Sequence, residues 1–203
     1  MLHLHPSDYR VMPWKDGGGS TTEIAIEPPG LSLTEPFLWR VSSARVEVSG
    51  SFSRFPGYER TLVLLEGNGL LLDIEGKGRQ PLKELWKSVT FSGDDAVNAT
   101  LIQGHCLDFG VISDPLRVKV DVQVLLLGPD ATSLTLAPTT LLFSPSGWVH
   151  VDALETSLGP LDTLRLESDG TKLGLRAPLR GTPLVVVGFW PAYPETDPSP
   201  RTV

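Results

Sequence analysis

Arg60 offers the most pointed chemistry in this chain. It precedes the apolar run Thr61–Leu65 and follows Phe55-Pro56-Gly57-Tyr58. A guanidinium is a planar fork that grips a carboxylate or phosphate through two parallel hydrogen bonds. Ser53 adds a hydroxyl and Phe55 an aromatic face close by in sequence. The competing reading is a solvated strand end, since arginine is mostly exposed in folded proteins.

Two other stretches carry cations beside groups that could complete an anion site. Trp14-Lys15 places an aromatic wall next to an ammonium, and Gly17-Gly18-Gly19 follows at once. Three glycines permit close backbone approach. Their amides either form an anion-binding nest or make a sharp turn into the strand Thr22–Ile26. The loop is not a Walker A sequence, because Lys15 precedes the glycines. In Leu38–Val48, alternation puts Leu38, Arg40, Ser42, Ala44, Val46 and Val48 on one side. That side is partly apolar and points inward. An inward Arg40 needs a carboxylate partner, supplied by the protein or by a ligand.

The titratable groups are sparser. His105 and Asp108 share the segment Gly104–Ile112 and form a candidate general base, although a lone His beside a strand is more often structural. His3 and His5 form an H-x-H, read as an exposed strand edge because no third metal ligand lies near them in sequence. Cys106 sits among apolar residues and reads as a small buried hydrophobe.

Short strands must position these groups. Thr61–Leu65, Gly67-Asn68-Gly69 and Leu70–Ile74 read as strand, turn and strand, and Asn-Gly is a strong hairpin signal. From Arg117 onward the plan returns. Thr140–Phe143, Ser144-Pro145-Ser146-Gly147 and Trp148–Val151 echo the first hairpin, and Gly159-Pro160-Leu161-Asp162 echoes Phe91-Ser92-Gly93-Asp94. Regular short strands with turn signals between them predict an all-β barrel or sandwich. The repeat divides it into two jelly-roll halves in one compact unit, residues 1–115 and 116–190. Arg60 has no counterpart in the second, so a single site belongs to the first. Residues 191–203 are rich in proline and read as a flexible tail.

Composition bounds the function. A 203-residue chain that is 40% hydrophobic can build a full core, and 18 Pro and 20 Gly disfavour a helical bundle. A net charge of −7 with no Lys/Arg-rich face argues against nucleic-acid binding. A single cysteine excludes an internal disulfide and fits a reducing, cytoplasmic setting. The first ten residues lack the pattern of a signal peptide. No apolar run approaches the roughly 18 residues of a membrane helix.

The plan resembles a cupin (a double-stranded β-helix, or jelly roll) duplicated in one chain. Metal-binding cupins carry G-x5-H-x-H-x3,4-E-x6-G. With Gly67 at the final glycine, Arg60 falls at the glutamate and Ser53 and Phe55 fall near the histidines. The resemblance therefore implies no metal and no other cofactor in that pocket, since a cation fork cannot coordinate a cation.

More specifically, the chain resembles the HutD/Ves family, which are bicupins of RmlC-like type. The resemblance rests on Trp14-Lys15-Asp16-Gly17-Gly18-Gly19, Trp39-Arg40-Val41-Ser42-Ser43-Ala44, Gly50 through Arg60, Leu65-Glu66-Gly67-Asn68-Gly69, Phe91-Ser92-Gly93-Asp94 and Asp108-Phe109. It implies a non-catalytic protein that binds a small ligand, with a regulatory role in histidine utilisation. One departure is Gly110, where the family has Asn after Asp-Phe.

On this reading a small anionic metabolite, a formylglutamate-like dicarboxylate, enters the first barrel. The ligand-binding residues would be Trp14, Lys15, Arg40, Ser42, Ser53, Phe55, Arg60 and Asp108. Two rivals stay open. One is a metal-free isomerase, lyase or hydrolase using His105 or Asp108 as base. The other is a structural protein that acts by forming a homodimer or docking to a partner.

Overall fold

The computed structural model describes residues 1–192, so most of the tail expected at 191–203 lies outside the described residues. The strands run β1 (Leu2–Leu4), β2 (Arg10–Pro13), β3 (Gly19–Glu27), β4 (Trp39–Val46), β5 (Gly50–Ser51) and β6 (Glu59–Gly67). Next come β7 (Leu70–Ile74), β8 (Gly78–Leu82), β9 (Ser88–Ser92), β10 (Val97–Leu101), β11 (Cys106–Ser113) and β12 (Val118–Leu127). The rest are β13 (Thr132–Thr135), β14 (Thr139–Phe143), β15 (Val149–Val151), β16 (Thr156–Leu158), β17 (Thr163–Glu167), β18 (Lys172–Arg176) and β19 (Thr182–Pro191). Two single-turn 3-10 segments, Pro6–Asp8 and Asp152–Leu154, interrupt them. No helix is long and apolar enough to cross a membrane.

The strands form four antiparallel sheets, stacked as two sandwiches set back to back. The first sandwich pairs the sheet β2-β3-β4-β11-β6-β9 with β5-β10-β7-β8, and the second pairs β1-β17-β14-β19-β12 with β13-β18-β15-β16. The all-β, doubled jelly roll expected from the turn spacing is what the chain forms. The hairpin reading of Asn68-Gly69 needs correction, however. β6 pairs with β11 and β9, whereas β7 pairs with β10 and β8 in the facing sheet. The turn is thus a corner between sheets rather than a ladder. β14 and β15 make the same corner in the second sandwich. A turn through Gly76 and Lys77 joins β7 to β8.

Three apolar layers hold the stack. β6 explains why. Its residues alternate across the sheet, so Leu62 and Leu64 enter the first sandwich while Val63 and Leu65 face the second. The central layer between the two large sheets stacks Phe109 on Phe143 (5.1 Å between centroids) and Trp39 on Phe189 (4.3 Å). Arg165 reaches across to Glu27 at 2.8 Å and lies over the Trp39 ring. The second sandwich is filled by Leu142, Leu164, Leu175, Leu184 and their neighbours. Cys106 is fully buried, as expected, and burial pushes its thiol up to about 12.

Candidate functional site

The site is built on three neighbouring strands of the large sheet in the first sandwich. β11 lies between β4 and β6, and the register sets three rows across them. Ile112 is flanked by Arg40 and Arg60, Gly110 by Ser42 and Leu62, and Asp108 by Ala44 and Leu64. The period of two puts all three rows on one face. Arg40 and Arg60 therefore stand two strands apart, with roughly 10 Å between their backbones. Above this floor lies a cavity of about 530 Å³, walled by the Met12–Asp16 segment, Thr21, Leu33 and the Ser51–Ser53 and Phe55 region. Trp14, Lys15, Arg40, Ser42, Ser53, Phe55, Arg60 and Asp108 all line it.

Arg60 is held rigidly. Its guanidinium carbon lies 5.2 Å from the Phe52 ring centre, 5.4 Å from Phe55 and 5.2 Å from Phe91. These are cation–π distances. One nitrogen, Nη1, donates to the Ser53 carbonyl at 2.9 Å, so Ser53 holds Arg60 through its backbone. Burial lowers the guanidinium to about 10; Asp108 opposes that shift and Arg40 adds to it. Arg60 still carries its charge at neutral pH.

Two turns place the phenyl rings. Phe55 N–H donates to Gly93 O at 2.9 Å, and Gly93 N–H donates to Tyr58 O at 2.7 Å. A Cβ on Gly93 would lie 2.2 Å from the Phe55 carbonyl oxygen. The Phe-Pro-Gly-Tyr and Phe-Ser-Gly-Asp stretches are therefore two halves of one joint, and only glycine lets them close.

Arg40 answers the question left open by the alternation. Its Nε donates to Glu23 Oε2 at 2.7 Å, and both side chains are largely buried. The protein supplies one partner, but Arg40 Nη2 remains buried with none, as does Arg60 Nε. These are the two orphaned buried side-chain nitrogens among the described residues, and both side chains line the cavity.

Asp108 is the buried carboxyl of the site, 2% exposed. Burial raises it to about 7, against a downward pull from Arg60. Gly110, one residue pair along β11, leaves the floor open. A Cβ there would meet Leu62, Ser42 and Asp108 at 3.4–3.9 Å, which is ordinary contact.

Other expectations sort differently. The triple-glycine loop is a turn, and the nest reading fails. Gly17 N–H donates to Trp14 O, Gly18 N–H donates to Asp16 Oδ1, and a Cβ on Gly19 would strike Arg45 O at 2.1 Å. Trp14 is anchored by its Nε1 donating to Thr21 Oγ1 at 2.8 Å. His105 does not line the cavity; it faces Glu66 at 3.6 Å on an exposed edge. The H-x-H reading also changes. β1 is an edge strand, but His3 and His5 do meet a third metal-ligating group, Asp162, from the far end of the sequence.

Sequence reading missed Glu23, Phe52 and Phe91. The phenylalanines were visible inside recognisable stretches. Glu23 was obscured by a bulge between Glu23 and Ala25 that shifts the register of β3 on β4. The metal that cupins commonly hold in such a barrel does not fit these donors. The cavity lining sets three cationic side chains, Lys15, Arg40 and Arg60, against two carboxyls, Asp16 and Asp108, with no histidine or cysteine; the surplus positive charge repels a divalent ion that imidazole, thiolate or carboxylate ligands would have to hold.

Comparison with known proteins places these features in context. The HutD family model matches residues 6–183. An uncharacterised 21.2 kDa protein in the hutC 3′ region of Pseudomonas putida is 39% identical over 177 residues, covering 85% of this chain and 90% of that one. The structure of HutD from Pseudomonas fluorescens SBW25, in a formate condition, superposes with a TM-score of 0.77 at 32% identity, covering 94% of this chain and 98% of that one. At 8% identity, oxalate decarboxylase from Lactobacillus farciminis shares the fold alone, with a TM-score of 0.67 over 93% of this chain and 85% of that one.

Proposed function

The chain belongs to the HutD family, and from that membership we propose that it binds a small carboxylate metabolite in the first barrel, as a non-catalytic component of histidine utilisation. The observation that carries this reading is the pair of orphaned guanidinium nitrogens, Arg40 Nη2 and Arg60 Nε, in side chains that line one cavity. Buried donors are almost always hydrogen-bonded in native proteins. A carboxylate oxygen satisfies each, and a dicarboxylate with a short spacer reaches both. The volume is within the usual range for a small-molecule site. Lys15 at the wall supplies a further cation, Trp14 and Phe55 supply apolar faces, and the Ser42 and Ser53 hydroxyls supply hydrogen bonds.

A formylglutamate-like molecule has this chemistry: two carboxylates and an amide on a short chain. Charge-assisted hydrogen bonds contribute about 1.5–3 kcal/mol each, so two or three give binding between about millimolar and micromolar and far from nanomolar. A thermal-shift and calorimetric panel of formylglutamate, glutamate, histidine, urocanate and phosphate tests this. A ligand at a hundred times its dissociation constant adds about 2.7 kcal/mol of stability. The expected result is a selective response to a dicarboxylate that disappears in Arg60→Ala. Equal binding by Arg60→Ala overturns the assignment.

Asp108 favours a second reading. A carboxyl near 7 inside a ligand cavity is poised to move a proton. In that case the ligand identified by the panel would be converted on prolonged incubation, and Asp108→Asn would bind it without turnover.

A further inference from the structure

β1 pairs with β17 through Leu2↔Arg165, His3↔Leu164 and Leu4↔Thr163, so the start of the chain edges a sheet of the second sandwich. There two imidazoles converge on one carboxylate. His3 Nε2 lies 3.2 Å from Asp162 Oδ2, and His5 Nδ1 lies 2.9 Å from Asp162 Oδ1. The rings stand 4.3 Å apart. The ligating atoms of the three residues all lie within 4.8 Å of one another.

Asp162 is presented by a tight turn. Leu161 is held at φ +66°, a region unusual for a residue with a side chain. Its N–H donates to Ser144 O at 2.6 Å. Gly159 N–H donates to Asp162 Oδ2 at 2.8 Å, fixing the carboxylate plane. From the other side Tyr9 Oη donates to Leu161 O at 2.6 Å and lies 2.8 Å from Thr163 Oγ1. Both the arm carrying the histidines and the turn carrying the aspartate are therefore anchored, and Tyr9 ties one to the other.

We propose that His3, His5 and Asp162 form a site for a divalent transition-metal ion of the Zn²⁺ type, outside the carboxylate cavity. Two imidazole nitrogens and one carboxylate oxygen are a donor set such ions take. With bonds of about 2.1 Å, adjacent ligands around a tetrahedral or octahedral ion stand roughly 3.0–3.4 Å apart. The two His–Asp spacings, 2.9 and 3.2 Å, already match, and the set as a whole, within 4.8 Å, must draw in around the ion, which the half-exposed His5 ring allows. The ion takes the place of the hydrogen bonds between the histidines and Asp162, each neutral imidazole then carrying its proton on the other ring nitrogen, His3 Nδ1 and His5 Nε2, while the Gly159 amide stays as outer support to the carboxylate. His5 is 54% exposed in its side chain, so the remaining coordination positions open to water. Bound metal clasps the N-terminal strand to a turn 157 residues away.

The test is calorimetric and thermal-shift titration of the full chain, without an affinity tag, using Zn²⁺ alone. The expected result is one ion per chain and a raised melting temperature. Affinity should fall by about 10-fold or more in His5→Gln and in Asp162→Asn. His5 is half-exposed, so its variant folds, and near-ultraviolet circular dichroism verifies that. Arg60→Ala should bind Zn²⁺ as the native chain does. No binding at 1:1, or binding unchanged by His5→Gln, overturns the proposal; the latter would move the ion to His105–Glu66 or His150–Asp152.

Discussion

Arg60 and Asp108 line the same cavity and shift each other's ionisation, yet no salt bridge joins them among the described residues. Burial works against both charges. It raises the carboxyl to about 7 and lowers the guanidinium to about 10, and their mutual attraction offsets only part of each shift. The cavity therefore holds a fixed cation beside a carboxyl whose charge changes near neutrality.

This has a pH signature. The folded Asp108 sits near 7, above its ordinary 3.8. Between those values the folded protein keeps a proton that the unfolded chain has released. Its contribution is thus fully present below about pH 4 and is lost as pH rises through 7. The loss is on the order of a few kcal/mol. Urea denaturation at pH 5.5, 7 and 8.5 measures it. Asp108→Asn should flatten the profile and be more stable than the native chain at pH 8.5. Parallel profiles for the two proteins would remove Asp108 as the cause.

Ligand affinity should follow the same group in the same direction. Ionised Asp108 repels an incoming carboxylate, so binding weakens as pH rises from 6 to 8. Calorimetry with the best dicarboxylate of the panel is expected to show several-fold weaker binding at pH 8 in the native chain and little change in Asp108→Asn. An unchanged native affinity would place the anion away from β11.

Glu23 is the partner that keeps Arg40 in the interior. The pair is buried on both sides, with side chains 5% and 11% exposed. Removing one member of such a pair leaves an uncompensated charge, and Glu23→Ala should lose about 3–5 kcal/mol. Because Arg40 also lines the cavity, an added carboxylate can replace Glu23 in part. Thermal shifts with the dicarboxylate should be larger in Glu23→Ala than in the native chain; equal shifts would detach Arg40 from the ligand.

Gly110 leaves space in the cavity floor between Ser42 and Leu62. Its backbone is not in the left-handed region, and a Cβ makes only ordinary contacts. Gly110→Asn should keep stability within about 1 kcal/mol while its amide projects toward Ser42 and Asp108. The expected change is in selectivity across the carboxylate panel, read by calorimetry. An unaltered panel would show that this part of the floor does not meet the ligand.

Much of this was legible in the sequence because strand periodicity is a local property. Alternation in Leu38–Val48 correctly put Arg40 and Ser42 on one face, and the turn at Phe55–Tyr58 marked the approach to Arg60. What escaped was non-local. Asn68-Gly69 is a hairpin signal, but both edges of β6 are taken by β11 and β9 and β7 joins the facing sheet, so the turn became a corner. The bulge after Glu23 hid the partner of Arg40. Asp162 is separated from His5 by 157 positions, beyond any spacing rule for metal ligands.

The joint at Gly93 is where local turn chemistry and the distant site meet most directly. Phe55 and Phe91 clamp the Arg60 guanidinium, and both belong to stretches that touch at Gly93. A methyl group there would sit 2.2 Å from Phe55 O and 2.9 Å from Tyr58 O, both backbone atoms with no rotamer to yield. Gly93→Ala must therefore push the Phe55–Tyr58 turn away from β9. Two hydrogen bonds, Phe55 N–H to Gly93 O and Gly93 N–H to Tyr58 O, would lengthen or break. At about 1 kcal/mol each plus the steric strain, the loss should be about 2–4 kcal/mol by urea denaturation. Tyr58 also stacks on Phe37 at 4.4 Å and exchanges hydrogen bonds with its backbone, so the displacement spreads to that corner rather than to the second sandwich. Carboxylate affinity should fall with stability, because Arg60 loses one of its three aromatic walls, whereas Zn²⁺ binding at His3, His5 and Asp162 should be untouched. A variant with native ligand affinity would mean that Ser53 O, Phe52 and Phe91 set the fork at Arg60 without Phe55.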